Sequence, residues 1–352
     1  MSIKNRISAF EKLGSFLSQF SEDKIEEKKD VVLNDLFFEG FKHQIKIAEE
    51  NNSWFTKNNI LFALEGWSKS LTKEKLNSWI ETENIEIDAP KKVAIIMAGN
   101  IPLVGFHDFL SVLISGHKVI IKQSSNDKHL VPYLAKYLEY VEPSFKGMIS
   151  FTEGKLTNFD AVIATGSNNT ARYFEYYFKD KPSIIRKNRN SIAVIQGTES
   201  IEDFECLSED VFRYFGLGCR SVSKLFVPKG FDFDNFFKGM YKHHEIINNV
   251  KYANNYDYNK AVYLMSEFDI LENGFLMIKE DKSYASPIAS VFYEYYDNLI
   301  DLKTKLDQEK ENIQCIVSKD FIENEIAFGQ TQSPELSDYA DGVNTLAFLS
   351  KI

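Results

Sequence analysis

The stretch Val93-Ala94-Ile95-Ile96-Met97 carries no charge and runs into the loop Ala98-Gly99-Asn100-Ile101-Pro102. A short continuous apolar segment bounded by turn residues is typical of a parallel strand that is buried on both faces. Helical spacing of apolar residues follows the loop and continues through Ile114. The stretch therefore predicts the first strand of a sheet wound by helices, with a polar loop at the carboxyl end of that strand.

The same order of strand, loop and helix recurs along the next part of the chain. Val119-Ile120-Ile121 ends on Lys122, and Ala161-Val162-Ile163-Ala164 runs into Gly166-Ser167 before another helical stretch. This alternation predicts a parallel, Rossmann-like sheet, and ligands of such sheets bind at the carboxyl ends of the strands. We therefore expect Lys122, Gly166-Ser167 and Asn100 at one ligand-binding edge.

The pattern divides the chain into four parts. Residues 1–90 show apolar residues at helical spacing and predict a helical lead-in that packs on the sheet. Residues 91–186 hold the Rossmann-like sheet, and residues 187–328 again alternate strands and helices, which predicts a second α/β domain. Residues 329–352 form a tail, in which Val343–Leu349 is a candidate strand.

Composition narrows the class of protein. The chain has 352 residues, 44% hydrophobic and 26% charged, which is ordinary for a soluble globular protein of two domains. A net charge of −10 argues against a nucleic-acid partner. The longest uncharged apolar run, residues 93–106, is shorter than the roughly 20 residues of a membrane helix. Three cysteines without paired spacing predict a reducing, cytoplasmic location.

One cysteine stands out by its neighbours. In Phe215-Gly216-Leu217-Gly218-Cys219 the glycines allow a sharp turn and leave the thiol unshielded, so we interpret Cys219 as a nucleophile. A lone cysteine is more often a small buried hydrophobe, and we expect this of Cys206 and Cys315. The carboxyl end of the preceding helix disfavours a thiolate, whereas Arg220 offers a positive charge.

The polar residues at the strand ends each allow two interpretations. Asn100 is either a turn residue or an amide donor to an oxyanion, and Lys122 is either solvated or bound to a cofactor ribose or phosphate. Gly166-Ser167 precedes a helix N-terminus suited to an anion, but it is not a G-x-G-x-x-G motif. His243-His244-Glu245 lacks further residues at ligand spacing, so we expect no metal site. His107 would serve a Cys–His hydrolase.

In their order and spacing these segments resemble the LuxC-type fatty-acyl reductases, the acyl-CoA reductase branch of the aldehyde dehydrogenase superfamily. The similarity runs from about Trp54 to residue 352. Its sharpest parts are Met97–Pro102, Val119–Lys122, Ala164–Ser167, Gly216–Ser221, Ala327–Pro334 and Asp338–Val343. The resemblance implies an aldehyde dehydrogenase-like fold of two α/β domains, with the cofactor on the sheet of residues 91–186.

The resemblance also implies roles for single residues. Cys219 would accept the acyl group, and Asn100 with the backbone N–H of Cys219 would form the oxyanion hole. Lys122 would hold the adenosine ribose of the cofactor, and Ser124 would contact a 2′-phosphate, so that NADP(H) is expected rather than NAD(H). Gly166 and Ser167 would support the pyrophosphate or the nicotinamide half.

Two departures from the family pattern bear on mechanism. Hydrolytic aldehyde dehydrogenases carry a water-activating glutamate on an upstream strand, and the matching position here is Ile185, which cannot act as a base. The acyl thioester should therefore persist until it is reduced. Ser283 stands where many members have a glutamate on the nicotinamide ribose, so cofactor placement is expected to differ.

The sequence thus predicts an NAD(P)H-dependent reductase that converts fatty-acyl-CoA or acyl-protein to aldehyde through acyl-Cys219. The resemblance implies a homo-oligomer, with the strand at Val343–Leu349 pairing between subunits, and an acyl-protein synthetase as a partner. The alternatives are a cysteine-dependent acyltransferase or thioesterase that uses Cys219 with His107 or His243, and a non-catalytic acyl-binding partner of a synthetase.

Overall fold

The computed structural model describes residues 1–83 and 89–352, so the end of the expected helical lead-in, residues 84–88, lies outside the described residues. Two compact units are present. The first comprises residues 1–187 and 335–352, and the second comprises residues 188–334. Within the described residues, no helix combines the length and the hydropathy that crossing a membrane requires.

The first unit is built on a parallel sheet of strands β1 (Lys92–Ile96), β2 (Lys118–Lys122), β3 (Ile149–Phe151), β4 (Ala161–Thr165) and β5 (Ser183–Arg186). Their order across the sheet is β3-β2-β1-β4-β5, and every neighbouring pair is parallel. The chain leaves β1 towards β2 on one side and reaches β4 on the other. In such sheets the usual place for a ligand is at this reversal, which here lies at the carboxyl ends of β1 and β4.

Helices cover one face of this sheet with the larger core of the unit. They are α1 (Ile3–Leu17), α2 (Asn34–Asn51), α3 (Lys57–Ser70), α4 (Lys73–Glu83), α5 (Phe106–Ser115) and α6 (Leu130–Val141). The core includes Val93 and Ile95 of β1 together with aromatic side chains such as Phe16, which stacks on Tyr137 with ring centres 4.5 Å apart. The side chains of Ser2 and Thr56 cap the first and third helices.

A smaller apolar cluster covers the other face of the sheet. Ala94, Val162 and Ala164 lie at its centre, and Phe174 and Phe178 pack against them. Phe174 belongs to helix α7 (Asn168–Tyr177), and Phe178 follows it directly. Successive residues of a strand point to opposite faces, which explains why Val93 and Ala94 serve different cores.

The second unit contains a six-stranded sheet flanked by helices. Its strands are β6 (Asn190–Val194), β7 (Val222–Pro228), β8 (Ile270–Glu272), β9 (Met277–Glu280), β10 (Ser290–Tyr296) and β11 (Ile313–Val317), in the order β11-β6-β7-β10-β9-β8. Only the pairing of β8 with β9 is antiparallel among these. The helices are α8 (Ile201–Phe212), α9 (Asp234–Met240), α10 (Val250–Met265) and α11 (Leu299–Gln308). The expectation of two α/β domains with a helical lead-in is confirmed.

The tail contains a helix, α12 (Thr345–Leu349), so the expectation of a strand over Val343–Leu349 is wrong. The side chain of Asn344 accepts a 2.8 Å hydrogen bond from the Ala347 N–H and starts the helix. Leu346 and Leu349, three residues apart, are fully buried in the core of the first unit. Burial of this short apolar face in the core of the same chain stabilises the helix over a strand.

Candidate active site

Cys219 lies in a turn between helix α8 and strand β7. The Ser221 N–H donates a 3.0 Å hydrogen bond to the Gly218 carbonyl, which places Cys219 and Arg220 at the centre of a β-turn. We call residues 218–221, which carry the predicted nucleophile, the nucleophile turn. The side chain of Cys219 is exposed, as the flanking glycines predict. Within the described residues none of the cysteines forms a disulfide, and Cys315 is buried as expected.

The expectation that Cys206 is buried is wrong, because its side chain is exposed. The buried side chains of α8 include Phe204, Leu207 and Val211, which recur at helical spacing and form its core face. Cys206 lies off that face.

The backbone before the nucleophile turn is strained. Tyr214, Phe215 and Gly216 follow one another in the left-handed region, with φ of 57°, 58° and 73°. This conformation costs roughly 1–2 kcal/mol for each residue with a side chain. Both aromatic side chains are buried, which offsets that cost. Such strain clusters at functional sites, where the surrounding structure holds it in place.

Contacts within the second unit hold the main chain of the nucleophile turn. The hydroxyl of Ser191, at the start of β6, donates a 2.9 Å hydrogen bond to the Cys219 carbonyl. The Arg220 Nε donates to the Thr331 carbonyl at 2.5 Å, and the side chain of Gln332 donates to the Ser221 hydroxyl at 3.4 Å. Sequence reasoning missed these contacts, because they join residues far apart in the chain.

A cavity of about 250 Å³ lies beside the nucleophile turn in the second unit. Gly216 and Leu217, just before the turn, form part of its wall. The remaining wall is mostly apolar, with Phe212, Phe215, Tyr252, Leu276, Ile288 and Val291 among the lining residues. Apolar walls with few polar groups are typical of sites that take an apolar ligand.

Asn100 follows β1, Lys122 ends the neighbouring strand β2, and Ser124 follows β2; the structure brings the loops after these two strands together. The Met97 N–H donates a 3.0 Å hydrogen bond to the Lys122 carbonyl. A Cβ atom on Gly99 would lie 2.5 Å from the Ser124 hydroxyl oxygen, so only glycine permits this approach. The side chain of Asn100 is exposed, in the loop that follows β1.

A buried carboxylate that sequence reasoning missed joins the same two loops. Asp127 follows β2, and its Oδ2 accepts a 3.1 Å hydrogen bond from the Leu103 N–H in the loop after β1. Leu103 itself has a left-handed φ of 58°. Burial raises the pKa of Asp127 to about 6, although backbone hydrogen bonds from Leu103 and Leu130 act in the opposite direction. Asp127 therefore positions the loop that carries Asn100.

Lys122, Gly166 and Ser167 lie where an anionic cofactor would approach the sheet. The Lys122 ammonium donates to the Gly154 carbonyl at 3.3 Å. Ser167 caps α7, since its hydroxyl oxygen accepts a 3.2 Å hydrogen bond from the Thr170 N–H. The backbone N–H groups at this helix N-terminus suit a phosphate group. The residues present therefore fit the pyrophosphate of a dinucleotide, with Ser167 also serving as a helix cap.

Ile185 lies in β5, the outermost strand on its side of the sheet, and its side chain is apolar. It packs against the cluster of Ala94, Val162 and Ala164. The following residue, Arg186, is buried on the opposite face and forms a 2.5 Å ion pair with Asp108. The position that the resemblance matches to the general base of hydrolytic aldehyde dehydrogenases thus carries a hydrocarbon side chain in an apolar environment.

The histidines of the hydrolase alternative have structural partners. The His107 Nε2–H donates a 2.9 Å hydrogen bond to the Leu336 carbonyl, and burial lowers the pKa of this ring. His243 stacks on Phe212 with ring centres 5.4 Å apart, and burial also lowers its pKa. Across residues 1–83 and 89–352, no group of three or more His, Cys, Asp or Glu could hold a metal ion.

The structure places Cys219 in the second unit and all the other predicted site residues in the first. The loops of Asn100, Lys122 and Ser124 lie together. Gly166 and Ser167 follow β4, on the other side of β1.

Solved aldehyde dehydrogenases share this fold. Aldehyde dehydrogenase 21 from Physcomitrella patens, in complex with succinate, is similar at a TM-score of 0.66 and 12% identity, over 100% of this chain and 84% of its own. Indole-3-acetaldehyde dehydrogenase AldA of P. syringae, in complex with NAD+, is similar at a TM-score of 0.62 and 11% identity, over 90% of this chain and 72% of its own. The NAD+ complex of an aldehyde dehydrogenase from Bacillus cereus is similar at a TM-score of 0.60 and 14% identity, over 90% of this chain and 72% of its own.

Sequence comparison identifies the branch within this fold. No curated protein matches the chain. The acyl-CoA reductase (LuxC) family matches residues 33–286, which is well over half of the chain. The chain belongs to the acyl-CoA reductase (LuxC) family.

Proposed function

We propose that this oxidoreductase reduces fatty-acyl thioesters, either acyl-CoA or acyl-protein, to aldehydes with NAD(P)H through a thioester on Cys219. The observation that carries the proposal is the match to the acyl-CoA reductase family over residues 33–286, together with an exposed cysteine in a held turn within that range. A cysteine thiolate is a good nucleophile towards a thioester carbonyl.

The first half of the reaction moves the acyl group to the protein. The Cys219 sulfur attacks the carbonyl carbon, the bond from that carbon to the carrier sulfur breaks, and the carrier thiol leaves with the proton of the Cys219 thiol. The side-chain amide of Asn100 and the Cys219 backbone N–H donate hydrogen bonds to the oxyanion that forms. One such donor contributes roughly 3 kcal/mol of transition-state stabilisation.

The second half reduces the acyl group. A nicotinamide cofactor, when bound, supplies the hydride that reduces the carbonyl of acyl-Cys219. The resulting oxyanion is a thiohemiacetal on Cys219, which Asn100 stabilises again. As the carbon–sulfur bond breaks, the aldehyde leaves and the Cys219 sulfur keeps the electron pair and takes up a proton.

Lys122, Ser124, Gly166 and Ser167 bind the cofactor in this proposal, with NADP(H) preferred to NAD(H). The N-terminus of α7 takes the pyrophosphate, and Lys122 takes the adenosine ribose. Ser124 is followed by Ser125 and Asn126, so the residues directly after Lys122 are neutral, and the carboxylate of the same loop, Asp127, is buried. A neutral donor there tolerates a 2′-phosphate, which a carboxylate would repel.

Ile185 protects the acyl-enzyme in this mechanism. Its apolar side chain offers no base to activate water, so the thioester persists until hydride arrives. The apolar cavity beside the nucleophile turn takes the acyl chain. We further propose that the protein acts in the cytoplasm as a homo-oligomer with an acyl-protein synthetase as its partner, as the family resemblance implies.

The test is the intact mass of the protein after incubation with a long-chain acyl-CoA, with and without NADPH. We expect one acyl group per chain without cofactor, and its loss as free aldehyde once NADPH is added. Cys219→Ala should take no acyl group, whereas Cys206→Ala, which removes another exposed thiol, should behave as wild type. Acylation of the Cys219→Ala protein, or an adduct that NADPH does not discharge, would contradict the proposal.

A further inference from the structure

A buried carboxylate outside the candidate site holds a loop of the second unit. Asp210, near the end of α8, is fully buried. Its Oδ2 accepts a 2.6 Å hydrogen bond from the Gly329 N–H, and its Oδ1 accepts from the N–H and the hydroxyl of Thr331 at 2.9 and 2.8 Å. One carboxylate thus accepts hydrogen bonds from two backbone N–H groups and one hydroxyl, which strongly fixes residues 329–331.

The held loop is closely fitted to α8. Gly329 has a left-handed φ of 82°, and a Cβ atom there would lie 3.2 Å from the Cys206 carbonyl oxygen. Thr331 is itself fully buried. The position of the Thr331 carbonyl is therefore set by Asp210 and by the close packing of Gly329 on the helix.

That carbonyl in turn holds the nucleophile turn. The Arg220 Nε donates to it at 2.5 Å, and Arg220 is the residue that follows Cys219. The next residue along each segment adds a second contact, since the Gln332 side chain donates to the Ser221 hydroxyl at 3.4 Å. Hydrogen bonds therefore lead from Asp210 through Thr331 to the Arg220 side chain, and Arg220 is joined by the peptide bond to Cys219.

We propose that Asp210 is a positioning residue for Cys219, acting through the Thr331 carbonyl and the Arg220 side chain. The inference rests on the proposed nucleophilic role of Cys219 and adds what orients that nucleophile. Asp210 touches neither the substrate nor the sulfur. Its removal should misplace the turn without hiding the thiol, and misplacement by about 1 Å costs up to roughly a hundredfold in rate.

The experiment measures the rate at which acyl-CoA acylates Cys219, followed by intact mass, in Asp210→Asn, Arg220→Gln and the double variant. We expect each single variant to be slowed between about tenfold and a hundredfold, and the double variant to be no slower than the slower single. Glu205→Gln, a carboxylate-to-amide change on the exposed side of α8, is the matched control and should acylate at the wild-type rate.

Alkylation of Cys219 by iodoacetamide, read from its peptide, separates positioning from loss of the thiol. The small reagent does not need an oriented turn. The rate of alkylation in each variant should therefore stay within about threefold of the wild-type rate, while the rate of acylation falls. Should Asp210→Asn not fold, Thr331→Val removes only the hydroxyl donor and should slow acylation in the same direction, again without adding to Arg220→Gln.

The outcomes that overturn the inference are distinct from failure of the proposed function. A wild-type protein that takes no acyl group refutes the proposed function and the inference with it. A wild type that is acylated while folded Asp210→Asn keeps the wild-type rate refutes the positioning role alone. Effects of Asp210→Asn and Arg220→Gln that multiply in the double variant would show that the two residues act independently, which also refutes it.

Discussion

The hydroxyl of Ser191 donates a 2.9 Å hydrogen bond to the carbonyl oxygen of Cys219. Ser191 is fully buried in the sheet of the second unit, whereas the Cys219 side chain is exposed. The proposed nucleophile thus combines an exposed sulfur with a main chain that is fixed from inside the sheet. Preorganisation of this kind lets a reacting group stay accessible without losing its orientation.

Replacement of Ser191 by alanine should impair that arrangement. We expect Ser191→Ala to lower the free energy of unfolding by about 1 kcal/mol, the usual net contribution of a hydrogen bond, and to slow acylation about tenfold. Ser208→Ala is the matched control, because it removes a buried hydroxyl that donates within α8, to the Glu205 carbonyl. Equal effects of the two variants on acylation, measured by intact mass, would contradict a specific role of Ser191.

A glutamate at position 185 should shorten the life of the acyl-enzyme. In the proposed mechanism Ile185 occupies the place of a base, so Ile185→Glu should release free fatty acid from acyl-Cys219 in the absence of NADPH. Ile185→Gln introduces a side chain of nearly the same size as glutamate but without a basic group. The acyl-enzyme of this variant should therefore keep the wild-type lifetime. The decay of the adduct is followed by intact mass. A glutamate variant whose adduct lasts as long as that of the glutamine variant would argue against this placement.

A larger side chain in the cavity should change chain-length preference. Ile288 lines the cavity beside the nucleophile turn and is half-buried, so Ile288→Trp should fill part of the space. We expect acylation by long-chain acyl-CoA to fall relative to short-chain acyl-CoA, since each CH₂ that loses its apolar contact forfeits about 0.8 kcal/mol. Ile300→Trp, at a position 79% exposed on α11, controls for the substitution itself. An unchanged ratio of rates would exclude this cavity as the acyl site.

The buried carboxylate of Asp127 should make stability depend on pH. Its pKa is raised to about 6 in the folded protein, so the folded state holds its proton while the unfolded state has already lost it. This contribution to stability therefore falls as pH rises from about 4 to 6, and then stays constant. As the pH rises over that range, the free energy of unfolding of Asp127→Asn should increase by up to about 3 kcal/mol relative to that of the wild type.

The measurement for Asp127 is urea unfolding at pH 4.5 and pH 7.5. Asp160→Asn serves as the control, because Asp160 accepts one backbone N–H, from Lys92 at 2.8 Å, and is exposed. A difference between Asp127→Asn and wild type that is the same at both pH values would show that this carboxylate does not titrate in the range.

The parts of the fold that depend on local patterns were predicted from the sequence. Val93–Ile96 is continuous and apolar because both of its faces are buried, and this pattern alone marks a parallel strand. The exposure of Cys219 was likewise predicted, because Gly216 and Gly218 act on their immediate neighbours. Both inferences need only residues adjacent in the chain.

The parts that depend on distant contacts were not predicted. Asp127 and Asp210 are carboxylates in polar-looking sequence, and only the fold shows that each is buried and holds a backbone segment. The tail around Leu346 was expected to be a strand, because a short apolar run does not distinguish the two periods. Cys206 was expected to be buried, but the helical phase set by Phe204 and Leu207 turns it outward.

The division of the tail has a consequence for the order in which the chain folds. Leu336, Leu346 and Leu349 belong to the core of the first unit, and the Thr345 hydroxyl accepts a hydrogen bond from buried Arg186. Residues 335–352 are synthesised only after the whole of the second unit, residues 188–334. During translation the first unit must therefore wait with part of its apolar core open while the second unit is completed. Such a nascent intermediate exposes hydrophobic surface for as long as translation of the second unit takes, a condition that favours aggregation.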